Sequence, residues 1–128
     1  MRFLLDTHLA FWWQTADRRL STATRELIDG GDAPPLISRV SLWELAIKAS
    51  AGKLRINLAE FVSRTEATGF EWLAIENAHI LEVTRLPVFP DHKDPFDRLL
   101  IAQSASEPLI LLTADAKLAR YGGLVRVV

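Results

Sequence analysis

The sequence predicts an α/β domain in which helices cover both faces of a mainly parallel sheet. Short apolar runs alternate with helical patterns along the chain, which favours strand–helix–strand units and parallel pairing. The run at residues 109–113 is the clearest strand, and its continuous apolar character is typical of a strand buried on both faces. The 128 residues show no repeat, linker or low-complexity tract, so we expect one domain spanning residues 1–128.

The predicted elements alternate from the first residues to the last. Strands are expected at residues 3–6, 36–38, 71–75, 109–113 and 124–128. Helices are expected at residues 9–14, 21–28, 41–50, 58–68, 77–85, 94–106 and 115–121. Ser21 suits the N-cap of the second helix, and Gly52 and Gly69 suit the ends of the third and fourth. Pro87 and Pro90 predict a loop before Asp94 begins the long sixth helix.

Composition sets limits on function. A hydrophobic fraction of 49% with 24% charged residues is ordinary for a globular protein, so disorder is not expected. The chain has no cysteine, which excludes disulfides, thiolate zinc sites and cysteine nucleophiles and suits a reducing cytosol. We find neither a secretory signal nor an apolar stretch of about 18 residues, so we expect a cytoplasmic protein with no membrane contact.

The net charge of −1 excludes a polybasic nucleic-acid binder. It does not exclude nucleic acid as a substrate, because a bound metal ion supplies positive charge locally.

Four carboxylates lie where a strand ends or a helix begins. Asp6 follows the first strand, Asp115 follows residues 109–113, and Glu44 and Asp97 fall in the first turns of helices. Ligands of open parallel sheets bind beyond the carboxyl ends of the strands, so we expect these four side chains to converge there. Carboxylate oxygens suit a hard divalent cation, and we predict Mg²⁺ or Mn²⁺ as the cofactor.

Three of these acids also have a purely structural explanation. Glu44 could complete a capping box with Ser41 as the N-cap. Asp97 could stabilise the start of a helix capped by Asp94, and Asp115 could do the same for the last helix. Asp6 is harder to explain in this way, because a charge directly after a buried strand needs a partner or a function.

The histidines and tryptophans give weaker signals. The histidines lack the spacing of metal ligands, so we interpret all three as surface or loop residues: His8, His79 and His92. The tryptophans are more typical of a core or an interface than of base stacking: Trp12, Trp13, Trp43 and Trp72.

Taken together, the motifs resemble the PIN-domain nucleases, and within them the VapC-type toxins of bacterial toxin–antitoxin pairs. The matching segments span nearly the whole chain: residues 4–8, 41–48, 52–54, 92–103 and 111–115. The resemblance implies a three-layer α/β/α sandwich with a central, mainly parallel sheet. It also implies a metal-dependent endoribonuclease that cleaves RNA by metal-activated water, is held by a cognate antitoxin and forms a homodimer.

By position, the resemblance assigns the metal-binding and catalytic acids to Asp6, Glu44, Asp97 and Asp115. Asp94 belongs to the same motif as Asp97, and Thr7 and Thr113 fall where the family places small polar residues beside the acids. His8 stands where many relatives carry asparagine. Basic residues are candidates for phosphate contact, although a solvated surface position is the simpler interpretation of each: Arg39, Lys48 and Arg98.

Two other functions remain open from the sequence. An aspartyl-phosphate phosphohydrolase would use Asp6 as its nucleophile, but such enzymes usually carry a second acid two residues later, where this chain has His8. A non-catalytic PIN-like binding module is the other alternative, since fold alone does not establish activity.

Overall fold

A parallel sheet forms the centre of the domain in the computed structural model. The structure describes residues 2–128, so Met1 of the predicted domain lies outside the described residues. Its strands are β1 (Phe3–Leu5), β2 (Leu36–Ser38), β3 (Glu71–Leu73), β4 (Ile110–Thr113) and β5 (Val125–Val127). They are arranged in the order β3-β2-β1-β4-β5, and each neighbouring pair is parallel. The prediction of a mainly parallel sheet is therefore confirmed.

The helices occupy the predicted positions, with ends shifted by a few residues. They are α1 (Thr7–Thr15), α2 (Thr22–Asp29), α3 (Arg39–Ser50), α4 (Leu58–Ala67), α5 (Asn77–Val83), α6 (Pro95–Ser106) and a 3₁₀ helix (Ala116–Tyr121). Two predicted N-caps are confirmed, because Ser21 Oγ accepts from the Thr24 amide and Asp94 Oδ1 accepts from the amides of Phe96 and Asp97. Within residues 2–128, no helix has the length and apolar character needed to cross a membrane.

The sheet separates two hydrophobic clusters, which makes the domain a sandwich of three layers. Side chains alternate across each strand, so adjacent leucines of β1 point to opposite faces. Leu5 packs with residues of α1, α2, α3 and α4 on one face. Leu4 packs with Leu100 and Ile101 of α6 on the other. Burial on both faces explains why these strands are continuous apolar runs.

The carboxyl edge of the sheet positions the candidate site. β1 lies between β2 and β4, with Leu5 in register with Ile37 on one side and Leu112 on the other. Because all three strands are parallel, the residues that follow them meet at one edge. Asp6 follows β1, while Ser38 and Thr113 end β2 and β4.

Candidate metal centre

Asp6 lies at the middle of this edge and is 4% exposed. It occupies the N-cap position of α1, yet within the described chain its side chain makes no capping hydrogen bond. Instead, Oδ2 accepts a hydrogen bond of 2.6 Å from Thr113 Oγ1. Burial raises the pKa of Asp6, and the Thr113 hydrogen bond opposes that rise. Asp6 is therefore a buried carboxylate that no capping role accounts for.

Glu44 lies on α3 and is as deeply buried as Asp6. Its Oε1 accepts from Thr7 Oγ1 at 2.8 Å, and its Oε2 forms an ion pair of 2.7 Å with Lys48 Nζ one turn along the helix. The capping box predicted for Glu44 is wrong. The helix begins at Arg39, its N-cap is Ser38, and Ser41 lies buried inside the first turn.

Asp97 lies in the first turn of α6 and faces the other two acids. Its Oδ2 is 3.2 Å from His92 Nε2. The pKa of Asp97 is raised to about 7, first by burial and then by the negative charges of Asp6, Asp94 and Glu44. This mutual repulsion shows that Asp6, Glu44 and Asp97 share one region of the carboxyl edge.

Asp115 lies at the rim of that region and is exposed. Its Oδ1 accepts from the Lys117 amide at 3.0 Å, which confirms the interpretation that Asp115 favours the start of the last helix. Its own amide donates to Thr113 Oγ1 at 3.0 Å, so Thr113 connects Asp115 to Asp6. The structure thus gathers three of the four predicted acids and joins the fourth to them through one hydroxyl group.

The donor set matches the preferences of Mg²⁺ and Mn²⁺, which are oxygen-seeking cations. Among residues 2–128, however, no three acidic or histidine side chains stand close enough together to hold one ion directly. Mg²⁺ commonly keeps several waters and is bound through only one or two carboxylates. The residues therefore fit a hydrated divalent cation held first by Asp6 and Asp97, with which no lysine or arginine in the described chain forms an ion pair.

Two of the three histidines are buried. The interpretation as surface or loop residues holds for exposed His8 and for His92, which is buried but lies in the loop before α6, and it is wrong for His79, which is buried within α5. His92 Nδ1 is 2.7 Å from the Tyr121 hydroxyl while Nε2 meets Asp97, so this imidazole connects the 3₁₀ helix to the site. The sequence contains one signal for His92, because it opens the family-like segment at residues 92–103. His79 accepts from the Glu76 amide and meets Glu107 and Gln103.

The candidate phosphate ligands already have partners in the structure. Arg98 donates to the Pro87 carbonyl and to the Tyr121 hydroxyl, and Arg39 lies over the Trp72 ring at 4.6 Å. Lys48 is the basic residue of the three that contacts an acid of the site.

The tryptophans lie partly in the core, with one exception. Trp43 is 55% exposed, and its ring packs nearly perpendicular to that of Phe96, with the ring centroids 5.0 Å apart. Because Trp43 precedes Glu44 and Phe96 precedes Asp97, this contact joins α3 to α6 beside the acids.

The chain belongs to the PIN-domain family, whose model matches residues 3–124. The family predicted from the motifs is therefore confirmed. Ribonuclease VapC22 of Mycobacterium tuberculosis is a relative with 28% identity over 129 aligned positions, which cover 92% of this chain and 90% of that protein.

Solved toxin–antitoxin structures share the fold. The DNA-bound VapBC complex of Salmonella typhimurium contains a chain with a TM-score of 0.67 and 18% identity, covering 100% of this chain and 97% of that one. A DNA-bound VapBC2 chain from Rickettsia felis gives 0.68 and 15% identity, with coverage of 100% and 98%. A toxin–antitoxin complex from Klebsiella pneumoniae gives 0.68 and 18%, with coverage of 97% and 95%.

Proposed function

We propose that this chain is an endoribonuclease dependent on Mg²⁺ or Mn²⁺ and that it acts as the toxin of a toxin–antitoxin pair. The observation that carries the proposal is the meeting of Asp6, Glu44 and Asp97 at the carboxyl edge, where burial and repulsion between the acids raise the pKa values of Asp6 and Asp97. A divalent cation relieves such repulsion. The 28% identity to a ribonuclease over nearly the whole chain supports RNA cleavage as the reaction.

Each polar residue of the site has a defined part in this proposal. When bound, the cation supplies a water of lowered pKa and positive charge opposite the negative charge that develops at phosphorus. Thr113 and Thr7 fix the carboxylates of Asp6 and Glu44 through hydrogen bonds of 2.6 and 2.8 Å. His92 orients Asp97, since it is itself held by Tyr121. Asp115 at the rim would act through a water molecule or beside a second ion.

The substitution Asp6→Asn tests this proposal directly. Asparagine keeps the shape and an oxygen that accepts from Thr113, but it removes the charge. We expect RNA cleavage in the presence of Mn²⁺ to fall by at least about 100-fold, the upper range for residues that support a metal site. Asp32→Asn is the matched control, because Asp32 is exposed and lies with Arg2 and Phe3 at the amino end of β1, away from the carboxyl edge. Undiminished cleavage by a folded Asp6→Asn protein would refute the proposed mechanism.

The antitoxin partner belongs to the same proposal. The solved complexes with this fold contain an antitoxin, and α1 offers an apolar surface for one. Phe11 of α1, with Ile56 and Phe61, lines a cavity of about 170 Å³ that Arg55 and Arg64 border. We expect the product of a small neighbouring gene to co-purify with the chain and to inhibit RNA cleavage, and Phe11→Asp to weaken both effects. A chain that neither binds nor is inhibited by that product would contradict this part.

A homodimer in the cytoplasm completes the proposal. Ile80 and Leu81 on α5 are 53% and 67% exposed, which is unusual for two adjacent large apolar side chains. We expect a dimer mass by light scattering and a shift to monomer in Leu81→Glu. A wild-type chain that stays monomeric at high concentration would exclude the dimer.

A further inference from the structure

We propose that Lys48 is an internal counter-ion that occupies Glu44 while the site lacks a divalent cation, and that cation binding displaces it. The inference rests on the proposed function and deepens it, because it assigns to this lysine control over how tightly the acids bind a metal. The freed ammonium group then lies beside the acids, where it can face a phosphate of the RNA.

The geometry of Glu44 carries the inference. Both of its carboxylate oxygens are engaged, Oε1 by Thr7 Oγ1 at 2.8 Å and Oε2 by Lys48 Nζ at 2.7 Å. The glutamate side chain is 5% exposed, so water cannot replace either partner freely, whereas the lysine side chain is 37% exposed and has room to leave. A divalent cation bound at Glu44 would stand close to this ammonium group and repel it, and Lys48 is the partner that has room to move away.

Electrostatics makes Lys48 a competitor of the metal. At 2.7 Å, in a poorly solvated place, an ammonium group stabilises the carboxylate far more than it would in water. A cation that reaches Glu44 is repelled by this positive charge. Lys48 should therefore lower the affinity of the site for a divalent cation.

The chain offers a matched pair for comparison. Glu60 and Arg64 also form an ion pair at the spacing of one helical turn, but their side chains are 51% and 53% exposed. Exposed pairs at this spacing contribute little. Replacing Arg64 with methionine should therefore leave the metal affinity unchanged, although it removes a basic side chain just as Lys48→Met does.

The first test measures Mn²⁺ affinity from the signal of free Mn²⁺ in electron paramagnetic resonance. We expect Lys48→Met to bind Mn²⁺ about tenfold more tightly than the wild type, and Arg64→Met to match the wild type. The double variant Glu44→Gln/Lys48→Met removes both charges of the buried pair and should bind more weakly than Lys48→Met. Folding of each variant is checked by circular dichroism.

The outcomes separate this inference from the proposed function. If the wild type binds Mn²⁺ and Lys48→Met binds it equally or more weakly, Lys48 is not a competitor and the inference fails. If neither protein binds Mn²⁺ at millimolar concentration, the proposed metal site fails and the inference fails with it.

A second test follows the lysine itself, without metal affinity or activity as the readout. The sequence has four lysines, Lys48, Lys53, Lys93 and Lys117, so reductive methylation with ¹³C-formaldehyde gives few NMR signals to assign. Diamagnetic Mg²⁺ should shift the Lys48 signal toward that of exposed Lys53 and leave Lys53 unmoved. A Lys48 signal that stays in place while Mg²⁺ raises the melting temperature would overturn the displacement.

Discussion

Glu44 and Asp97 lie in the same site, but their charges are balanced in different ways. Glu44 is the more deeply buried of the two, and it has a lysine ammonium group and a threonine hydroxyl as partners. Asp97 is less buried, and its contact in the site is His92, yet its pKa is raised to about 7, first by burial and then by the charges of Asp6 and Asp94. The comparison teaches that depth alone does not describe these acids, because a cationic partner stands beside Glu44 whereas acidic neighbours add to the effect of burial at Asp97.

This difference divides the site into two halves with separate tasks. The half at α3 is a neutral, hydrogen-bonded unit in the metal-free protein, because Lys48 balances Glu44. The half formed by β1 and α6 carries the unbalanced charge of Asp6 and Asp97. A cation is therefore expected to enter at Asp6 and Asp97 and to recruit Glu44 afterwards.

The largest expected effect tests whether both halves are needed for cleavage. Asp97→Asn and Glu44→Gln each remove one charge and preserve size, and each should lower RNA cleavage by at least about 100-fold. Rates on a labelled single-stranded RNA with Mn²⁺ provide the measurement. Full activity in Glu44→Gln together with inactive Asp97→Asn would confine the chemistry to the Asp6 and Asp97 half.

A smaller effect is expected from the residue that orients Asp97. His92→Gln loses the contact between Nε2 and Asp97 and the contact between Nδ1 and Tyr121, so it should lower cleavage by about tenfold. Tyr121→Phe removes one hydroxyl group, and it should reproduce part of this loss. His79→Gln is the matched control, because His79 is buried but contacts Glu76, Gln103 and Glu107 rather than the acids. Equal losses in the His92 and His79 variants would point to general destabilisation instead of orientation.

In the metal-free protein, removing an acid from one half should change stability in the opposite direction from removing an acid from the other half. Asp97→Asn removes a repelled charge and should raise the melting temperature. Glu44→Gln leaves a half-buried lysine without its carboxylate, so it should destabilise the fold by about 1–2 kcal/mol, below the range for fully buried pairs because Lys48 is partly solvated. Thermal unfolding in EDTA measures both variants. A melting temperature that falls in both would remove the distinction drawn here.

The last expected effect is a dependence of stability on pH. The pKa of Asp97 is raised from an ordinary value of 3.8 to about 7, so the folded state holds a proton that the unfolded state has lost between these values. The contribution of Asp97 to the free energy of unfolding should therefore decrease as pH rises from about 4 to about 7. The measurement is the difference in melting temperature between wild type and Asp97→Asn in EDTA at several pH values. A difference that stays constant across this range would contradict the raised pKa.

Much of the fold is readable from local sequence, because the local and the tertiary preferences agree. The apolar runs around Leu4 and Leu111 predict strands buried on both faces, and Ser21 and Asp94 carry local N-cap signals that the structure confirms. The start of α3 could not be read in this way. Ser38 and Ser41 are both acceptable caps locally, and the choice between them depends on where β2 ends and on the hydrogen bond from Ser38 to Gln103, 65 residues away.

The acids of the candidate site could be predicted from the sequence, whereas most of the residues that surround them could not. Asp6 and Asp97 follow from their places at a strand end and a helix start. Glu44, predicted in a first turn, lies in the second turn of α3, and the structure brings it together with the other two acids. The partners that set their charges come from distant segments. Thr113 reaches Asp6 across 107 residues, and Tyr121 holds His92 across 29, so neither contact leaves a local pattern. The metal and the role of Asp115 stay predictions.

A crystal soaked in Mn²⁺ tests the central claim most directly, because anomalous scattering locates the ion without reference to activity. We expect one strong peak about 2.0–2.6 Å from carboxylate oxygens of Asp6 and Asp97, with Lys48 Nζ moved away from Glu44. Water ligands should complete the coordination of that ion. A crystal saturated with Mn²⁺ that shows no peak at the carboxyl edge of the sheet would contradict the account.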